Sequence, residues 1–381
     1  MVDAVQRGRD DLDAAARAIV AEALQRGSPD NLTVQIVVID QLPTHDGRSL
    51  HQQLSQLPLP PLLDARQTLD GYSIVREVHA SNRSHVYLTR DDETHALVIK
   101  APSVDLQGDP AYLERFLMEE WIARRLNSAH VLKPCLQARK RHYLYVAMEF
   151  IDGQTLAQWM IDNPKPDLET VRGIVEQIGK GLQAFHRLEM LHQDLRPANI
   201  MIDKTGTVKI IDFGATRVAG IVEMGPRPYD INADNNILGT AQYTAPEYFL
   251  GDAGTARSDL FSLGVITYQM LSGKLPYGTE VAKSRTRSAQ NKLMYDSVLH
   301  DDREIPVWID GALAKAVHPN PLKRYEALSE FIFDLRQPNP AFMGRARPPL
   351  IEQHPVRFWK GVSLVLGVIL FALLVARFGL W

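Results

Sequence analysis

The sequence predicts an α+β protein with two unequal lobes, a small β-sheet lobe carrying one helix and a larger, mainly helical lobe, followed by an apolar C-terminal helix. Three observations carry this prediction. Apolar and polar residues alternate in short stretches at Tyr72–Val78, Val86–Thr89 and Ala96–Lys100, the pattern of half-buried strands. Farther on, Val171, Ile174, Val175, Ile178, Leu182 and Phe185 recur at helical steps, and Leu260–Leu271 is apolar nearly all round, as befits a central helix. From Gly361 to Trp381 only Ser363 and Arg377 interrupt an apolar run.

Taken in order, the apolar spacing of Leu12, Ile19, Val20, Ala23 and Leu24 predicts a helix that Gly27-Ser28-Pro29 stops. A strand is expected over Thr33–Ile39, which is largely β-branched. The intervening Gly27-Ser28-Pro29-Asp30-Asn31-Leu32-Thr33 resembles the last segment of the type 2C metal-dependent protein phosphatases, so residues 1–40 are expected to be the remnant of such a domain. The resemblance implies a metal ligand at Asp30, but one carboxylate does not make a metal site, and here Asp30 reads as a turn residue. Residues 41–69, rich in Leu, Pro and Gln, are expected to be a linker. A three-stranded meander, a helix over about Pro110–Leu126 and two strands over Val131–Leu136 and Tyr143–Glu149 follow.

Composition narrows the chemistry. With 45 acidic and 42 basic residues the formal charge is −3, so no global field points to a nucleic-acid partner. Cys135 is the only cysteine, which leaves neither an intramolecular disulfide nor a thiolate cluster for zinc and suits a reducing compartment. Residues 1–30 have no uninterrupted apolar stretch of the kind a secretory signal needs.

The chemistry is carried by an ordered set of motifs. Leu97-Val98-Ile99-Lys100 ends a predicted strand. His192-Gln193-Asp194-Leu195-Arg196-Pro197-Ala198-Asn199 precedes two short apolar strands, and Asp212-Phe213-Gly214 and Ala245-Pro246-Glu247 follow. In this order the motifs resemble those of the eukaryotic-like bacterial protein Ser/Thr kinases over residues 70–337. Together with the N-terminal segment, they resemble the kinase half of a bifunctional kinase and type 2C phosphatase, with a possible phosphatase domain upstream as partner.

This resemblance implies a bilobal protein-kinase-like fold that moves the γ-phosphoryl group of ATP to a Ser or Thr hydroxyl of a protein substrate. Lys100 would hold the α- and β-phosphates and pair with Glu119, with Glu120 as the other register. Asp194 would accept or orient the hydroxyl proton, and Arg196 would stand near the γ-phosphate, where a lysine is usual. Asn199 and Asp212 would bind Mg2+, with Mn2+ the alternative. Val86, Ser81 and Ser84 would line the phosphates and Met148, Glu149 and Ile151 the adenine, Met148 as gatekeeper. Among framework residues, Thr240 would bond Asp194, Asp259 would anchor the catalytic loop, and Arg324 would pair with Glu247.

Two departures stand out. In place of a glycine-rich loop the chain has His79-Ala80-Ser81-Asn82-Arg83-Ser84-His85, without one glycine. This supports a second reading, a pseudokinase that binds nucleotide or partner proteins. Gln193 replaces the arginine that in many kinases binds a phosphorylated loop, and residues 217–239 contain no Ser or Thr, with Tyr229 the one hydroxyl. A neutral amide cannot form that charge-assisted pair, so the two absences agree that phosphorylation there is not required.

The apolar residues 361–381 would form a helix of about 31 Å, enough for a bilayer core of about 30 Å. Residues 338–360 form a basic, Pro-rich juxtamembrane linker, with Arg345, Arg347, Arg357 and Lys360 on the side expected to stay cytoplasmic. The expectation is thus a single-pass protein of the bacterial inner membrane with its kinase domain in the cytoplasm.

Overall fold

Alternation builds the upper lobe as the sequence predicts. In the computed structural model, which describes residues 11–28, 31–36, 57–106, 108–135, 139–218, 241–300, 305–343 and 355–378, five antiparallel strands pair in chain order. They are β1 (Thr68–Leu69), β2 (Tyr72–Ala80), β3 (Ser84–Arg90), β4 (Ala96–Pro102) and β5 (Val146–Glu149). Because strand side chains alternate between faces, the register fixes two sets of neighbours. Tyr87 lies opposite Ile99, and Ile99 opposite Ala147; these residues join Leu69, Tyr72, Ile74, Ala101 and Tyr145 in one buried cluster. Val86 opposite Lys100, and Val98 opposite Met148, fall on the other face.

The part of the expected linker from Leu57 onward is built into this lobe. Pro58 O accepts Leu144 N at 2.9 Å, Pro60 is buried, and β1 pairs with β2. The strand expected over Val131–Leu136 reduces to single bridges, Val131 to Ile210 and Pro134 to Met148, since Pro134 has no N–H to continue a ladder; Leu136 lies outside the described residues.

The helix of this lobe, preceded in the chain by α1 (Leu12–Gln25), is α2 (Pro110–Arg125). The Asp109 carboxylate accepts Tyr112 N at its start, Pro110 fits the first turn, and Arg124 and Arg125 complement the C-terminal dipole. Below it, β6 (Gly153–Thr155), α3 (Leu156–Asp162), α4 (Leu168–His186), β7 (Met190–Leu191), β8 (Ile200–Asp203), β9 (Val208–Ile210) and β10 (Arg217–Val218) lead to α5 (Ala256–Ser272). Strands β6, β8 and β9 form one small sheet, β7 and β10 another. Helix α5 starts at a reciprocal Thr255–Ser258 cap, ends at Gly273 with φ 72°, and is buried almost all round, as its uniform apolarity demands. It packs against α4 and α6 (Val307–Ala316), and α7 (Leu328–Arg336) closes the lobe over α4.

Two compact units divide the chain, Met1–Gln56 and Leu57–Trp381. In the first, α1 forms where expected. Residues 33–36 form no strand, and no described strand lies beside them to pair with, so β propensity alone does not build a ladder. Asp30 and residues 37–40 lie outside the described residues.

The C-terminal helix α8 runs Pro355–Phe378, and Leu364, Val365, Leu366, Val368 and Ile369 are exposed along it. Among the described residues no helix is long and apolar enough to cross a membrane; side chains beyond Ile369, within the expected span 361–381, lie outside them.

Candidate active site

The cleft below β3 to β5 gathers charged side chains from four elements. Lys100 on β4 donates to Glu119 on α2 at 2.6 Å, and its Nζ lies 3.8 Å from Asp212 Oδ1, just after β9. The side chains of Lys100 and Glu119 are only 16% and 15% exposed, so the pair acts in a medium where charge is weakly screened. Gly214 leaves room for it: a Cβ there would lie 2.8 Å from Glu119 Oε1.

Asp194, in the turn after β7, accepts the Asn199 amide at its own backbone carbonyl and at Oδ2, both at 2.9 Å. Arg196 Nε stands 3.6 Å from the same Oδ2. Since the Asn199 nitrogen is spent on Asp194, its amide oxygen is the atom left for a cation. That oxygen and the Asp212 carboxylate are the kind of hard-oxygen donors that divalent cations take. Among the described residues no group of three His, Cys, Asp or Glu forms a metal site without a ligand's help.

The electrostatics separate the carboxyls. Lys100 holds Asp212 below the usual carboxylate range, helped by the Gly214 N–H. Burial raises Asp194, with Asp212 adding to it against Arg196. Burial also pushes Glu119 up to about 7, opposed by Lys100 and reinforced by Asp212, while Lys100 is held protonated by both carboxylates against its own desolvation.

A raised folded pKa means that Glu119 contributes stability that is complete below its unfolded value of 4.5 and is lost as pH climbs through about 7. Urea denaturation of the nucleotide-free protein between about pH 5 and pH 8 should therefore show the wild type losing about 1–3 kcal/mol relative to Glu119→Gln. Parallel pH dependences for the two proteins would contradict this.

The remaining expected contacts divide. Val86 lies opposite Lys100 in the β3–β4 register, and Met148 and Ile151 are buried. The Glu149 carboxylate is bound at 2.7 Å through both oxygens by Lys209 of β9 and at 2.8 Å by Lys133 N. Ser81 closes its own turn, its hydroxyl bonding Ser84 N and Ser84 O at 3.1 Å, and Ser84 is buried. Thr240 and Tyr229 lie outside the described residues.

Sequence reasoning missed Val98, Tyr112 and the partners of Glu120. Val98 shares the cleft face with Lys100 by alternation alone. Glu120, one residue from Glu119, turns the other way and takes Arg141 at 2.7 and 2.8 Å and Arg124 at 3.0 Å. Tyr112 reaches from α2 to the tip of the β2–β3 hairpin.

The protein kinase domain family matches residues 72–340, well over half of the chain. The chain belongs to the protein kinase domain family. Similar proteins include the serine/threonine-protein kinase PknB of Mycobacterium leprae, 31% identical over 70% of this chain and 42% of its own length. PrkC of Bacillus subtilis is 27% identical over 72% and 41%, and PknA of Corynebacterium glutamicum 28% identical over 74% and 64%. The chain thus spans under half the length of the first two.

In this kinase domain the catalytic loop hangs from α5. Asp259 accepts His192 N and Gln193 N at 3.0 Å and His186 Nε2 at 2.8 Å. Burial opposes its charge, but these bonds outweigh it and keep the carboxyl below its ordinary range. Gln193 is held at φ 67°, an uncommon conformation for a residue with a Cβ. Its amide donates only weakly, at 3.5 Å, to Ala253 O, a carbonyl shared with Arg217 at 2.9 Å. The framework pair Glu247–Arg324 is bidentate at 2.8 and 2.7 Å.

Proposed function

We propose that this chain is an ATP-dependent protein serine/threonine kinase tethered to a membrane by its C-terminal helix. The observation that carries the enzymatic part is the convergence of Lys100, Glu119, Asp194, Asn199 and Asp212, far apart in sequence, on one cleft whose charges are already paired as phosphoryl transfer needs. In this reading Lys100, held by Glu119, binds the α- and β-phosphates of ATP. Asp194 orients the acceptor hydroxyl and takes its proton as the new O–P bond forms and the bond to ADP breaks. Arg196, beside Asp194, meets the charge on the transferred group. Asp212 and Asn199 would hold magnesium, or manganese in its place, which would neutralise the triphosphate. Preference for Ser and Thr is supported by the names of the relatives.

The tether is supported by the sequence, in the apolar run 361–381 behind a basic flank. It would place the kinase domain on the cytoplasmic side. The test is transfer of labelled phosphate from ATP to an acceptor protein by the full chain, beside Lys100→Met. The wild type should transfer, and the variant should lose about 10²- to 10³-fold in rate. Equal signals would refute the enzymatic reading. Recovery of the full chain in the soluble fraction, without detergent, would refute the tether and leave the enzyme intact.

A further inference from the structure

The hairpin between β2 and β3 stands where a glycine-rich loop would present its backbone to phosphates, yet its conformation is set by side chains. Ser81 closes the turn, as described above, and also accepts Arg83 N at 3.3 Å. The carbonyl of Arg83, at the tip, takes two donors. One is Ser103 N, three residues beyond Lys100, at 2.8 Å; the other is the phenol of Tyr112.

One donor directly follows β4, which carries Lys100, and the other lies on α2, which carries Glu119. Tyr112 precedes Glu119 by seven residues, two helical turns, and so stands on the same side of α2. Its N–H is fixed by Asp109 at 3.0 Å, and its ring lies 6.5 Å from that of Phe116. The hydroxyl also senses the site: burial pushes it up to about 12, with Glu119 and Asp212 adding to the shift and Lys100 opposing it. The proton that makes the clasp therefore stays in place at every physiological pH.

We propose that Tyr112 is a positioning residue for nucleotide binding, its hydroxyl fastening the Ser81–Ser84 hairpin to α2 and so supplying the loop placement for which glycines are absent. The inference rests on the kinase reading above. A loop held this way is set before the nucleotide arrives, so the ordering cost of closing it is already met in the free protein. Removing the hydroxyl takes from Arg83 O the donor that α2 supplies. The effect falls on the nucleotide and spares the protein acceptor, which the hairpin does not hold.

The experiment compares wild type and Tyr112→Phe as full chains, measuring KM for Mg·ATP, KM for an acceptor protein such as casein, direct binding of Mg·ADP, and the melting temperature. Loss of one hydrogen bond predicts a rise of about three- to ten-fold in KM for ATP and in the Kd for ADP. The acceptor KM and the melting temperature should stay close to wild type. An unchanged or raised nucleotide affinity, or equal rises in both KM values, overturns the proposal, as does a lower melting temperature without a selective nucleotide defect. If the wild type transfers no phosphate, the kinase reading fails by itself, and the ADP comparison still decides whether the clasp positions a nucleotide.

Discussion

Asp194→Asn should lower the rate of phosphoryl transfer by about 10²- to 10⁴-fold, the range expected when a positioned proton acceptor is lost. The change is nearly isosteric, so the turn held by Asp259 persists and the fold survives. What is lost is the charge that Arg196 and the Asn199 amide surround, and with it the group that can take a proton from an acceptor hydroxyl. Since Lys100, Glu119 and Asp212 are untouched, Mg·ATP should bind within a few-fold of wild type. Single-turnover kinetics separate the two quantities. A variant that retains more than about a tenth of the rate would mean that Asp194 does not serve as the acceptor.

The second large effect concerns stability. Arg324 uses all five of its N–H donors: Glu247 takes two, and the carbonyls of His318, Arg257 and Pro319 take the others at 2.7, 2.8 and 3.1 Å. The Arg324 side chain is wholly buried and that of Glu247 is 5% exposed, while Ser258 donates to Glu247 at 2.6 Å. Replacing Arg324 by Met keeps volume but strands a buried carboxylate and three carbonyls. The expected loss is about 3–5 kcal/mol. Adding Glu247→Gln should restore part of it, because the stranded charge goes while the amide still accepts from Ser258. Urea melts of the wild type and the two variants check both statements. A loss for Arg324→Met under about 1 kcal/mol would show that Glu247 is solvated by some other route.

The parts of the fold that could be read in advance are those where periodicity and burial coincide. Strands β3 and β4 and helices α2, α4 and α5 each bury a regular face or the whole surface, and β2 buries Tyr72 and Ile74 at its start, so their apolar spacing announces them. Segments stabilised by distant partners gave no such signal. Residues 57–69 read as linker because of their prolines, although Pro60 and Leu69 are buried against the sheet. Residues 33–36, the described part of the expected strand, read as strand because β-branched residues favour one, but propensity alone does not pair them.

The site divides the same way. Lys100, Glu119, Asp194, Asn199 and Asp212 were legible because they come in motifs of fixed order. Tyr112, Glu120 with Arg141, and Lys209 with Glu149 were not, since each pair spans 21 to 60 residues without a local pattern. The choice between Glu119 and Glu120 turned on helix phase: neighbouring residues differ by about 100° around the axis, so only one could meet Lys100 and the other had to find a cation behind.

That second glutamate bears on how the domain could be controlled. Burial works against the Glu120 carboxylate, yet Arg141 and Arg124 outweigh it and hold its pKa below the ordinary range. Arg141 belongs to the segment leading into β5 and also donates to Tyr145 O at 3.1 Å, so it moves with the sheet and not with α2. Swinging α2 outward would break this buried pair as well as Lys100–Glu119. At about 3–5 kcal/mol for the buried pair, the outward arrangement would hold about one molecule in 10² to 10⁴. An effector that works by displacing the helix must prefer that rare state by more than this ratio, so the resting population is one in which the lysine and its glutamate are already joined.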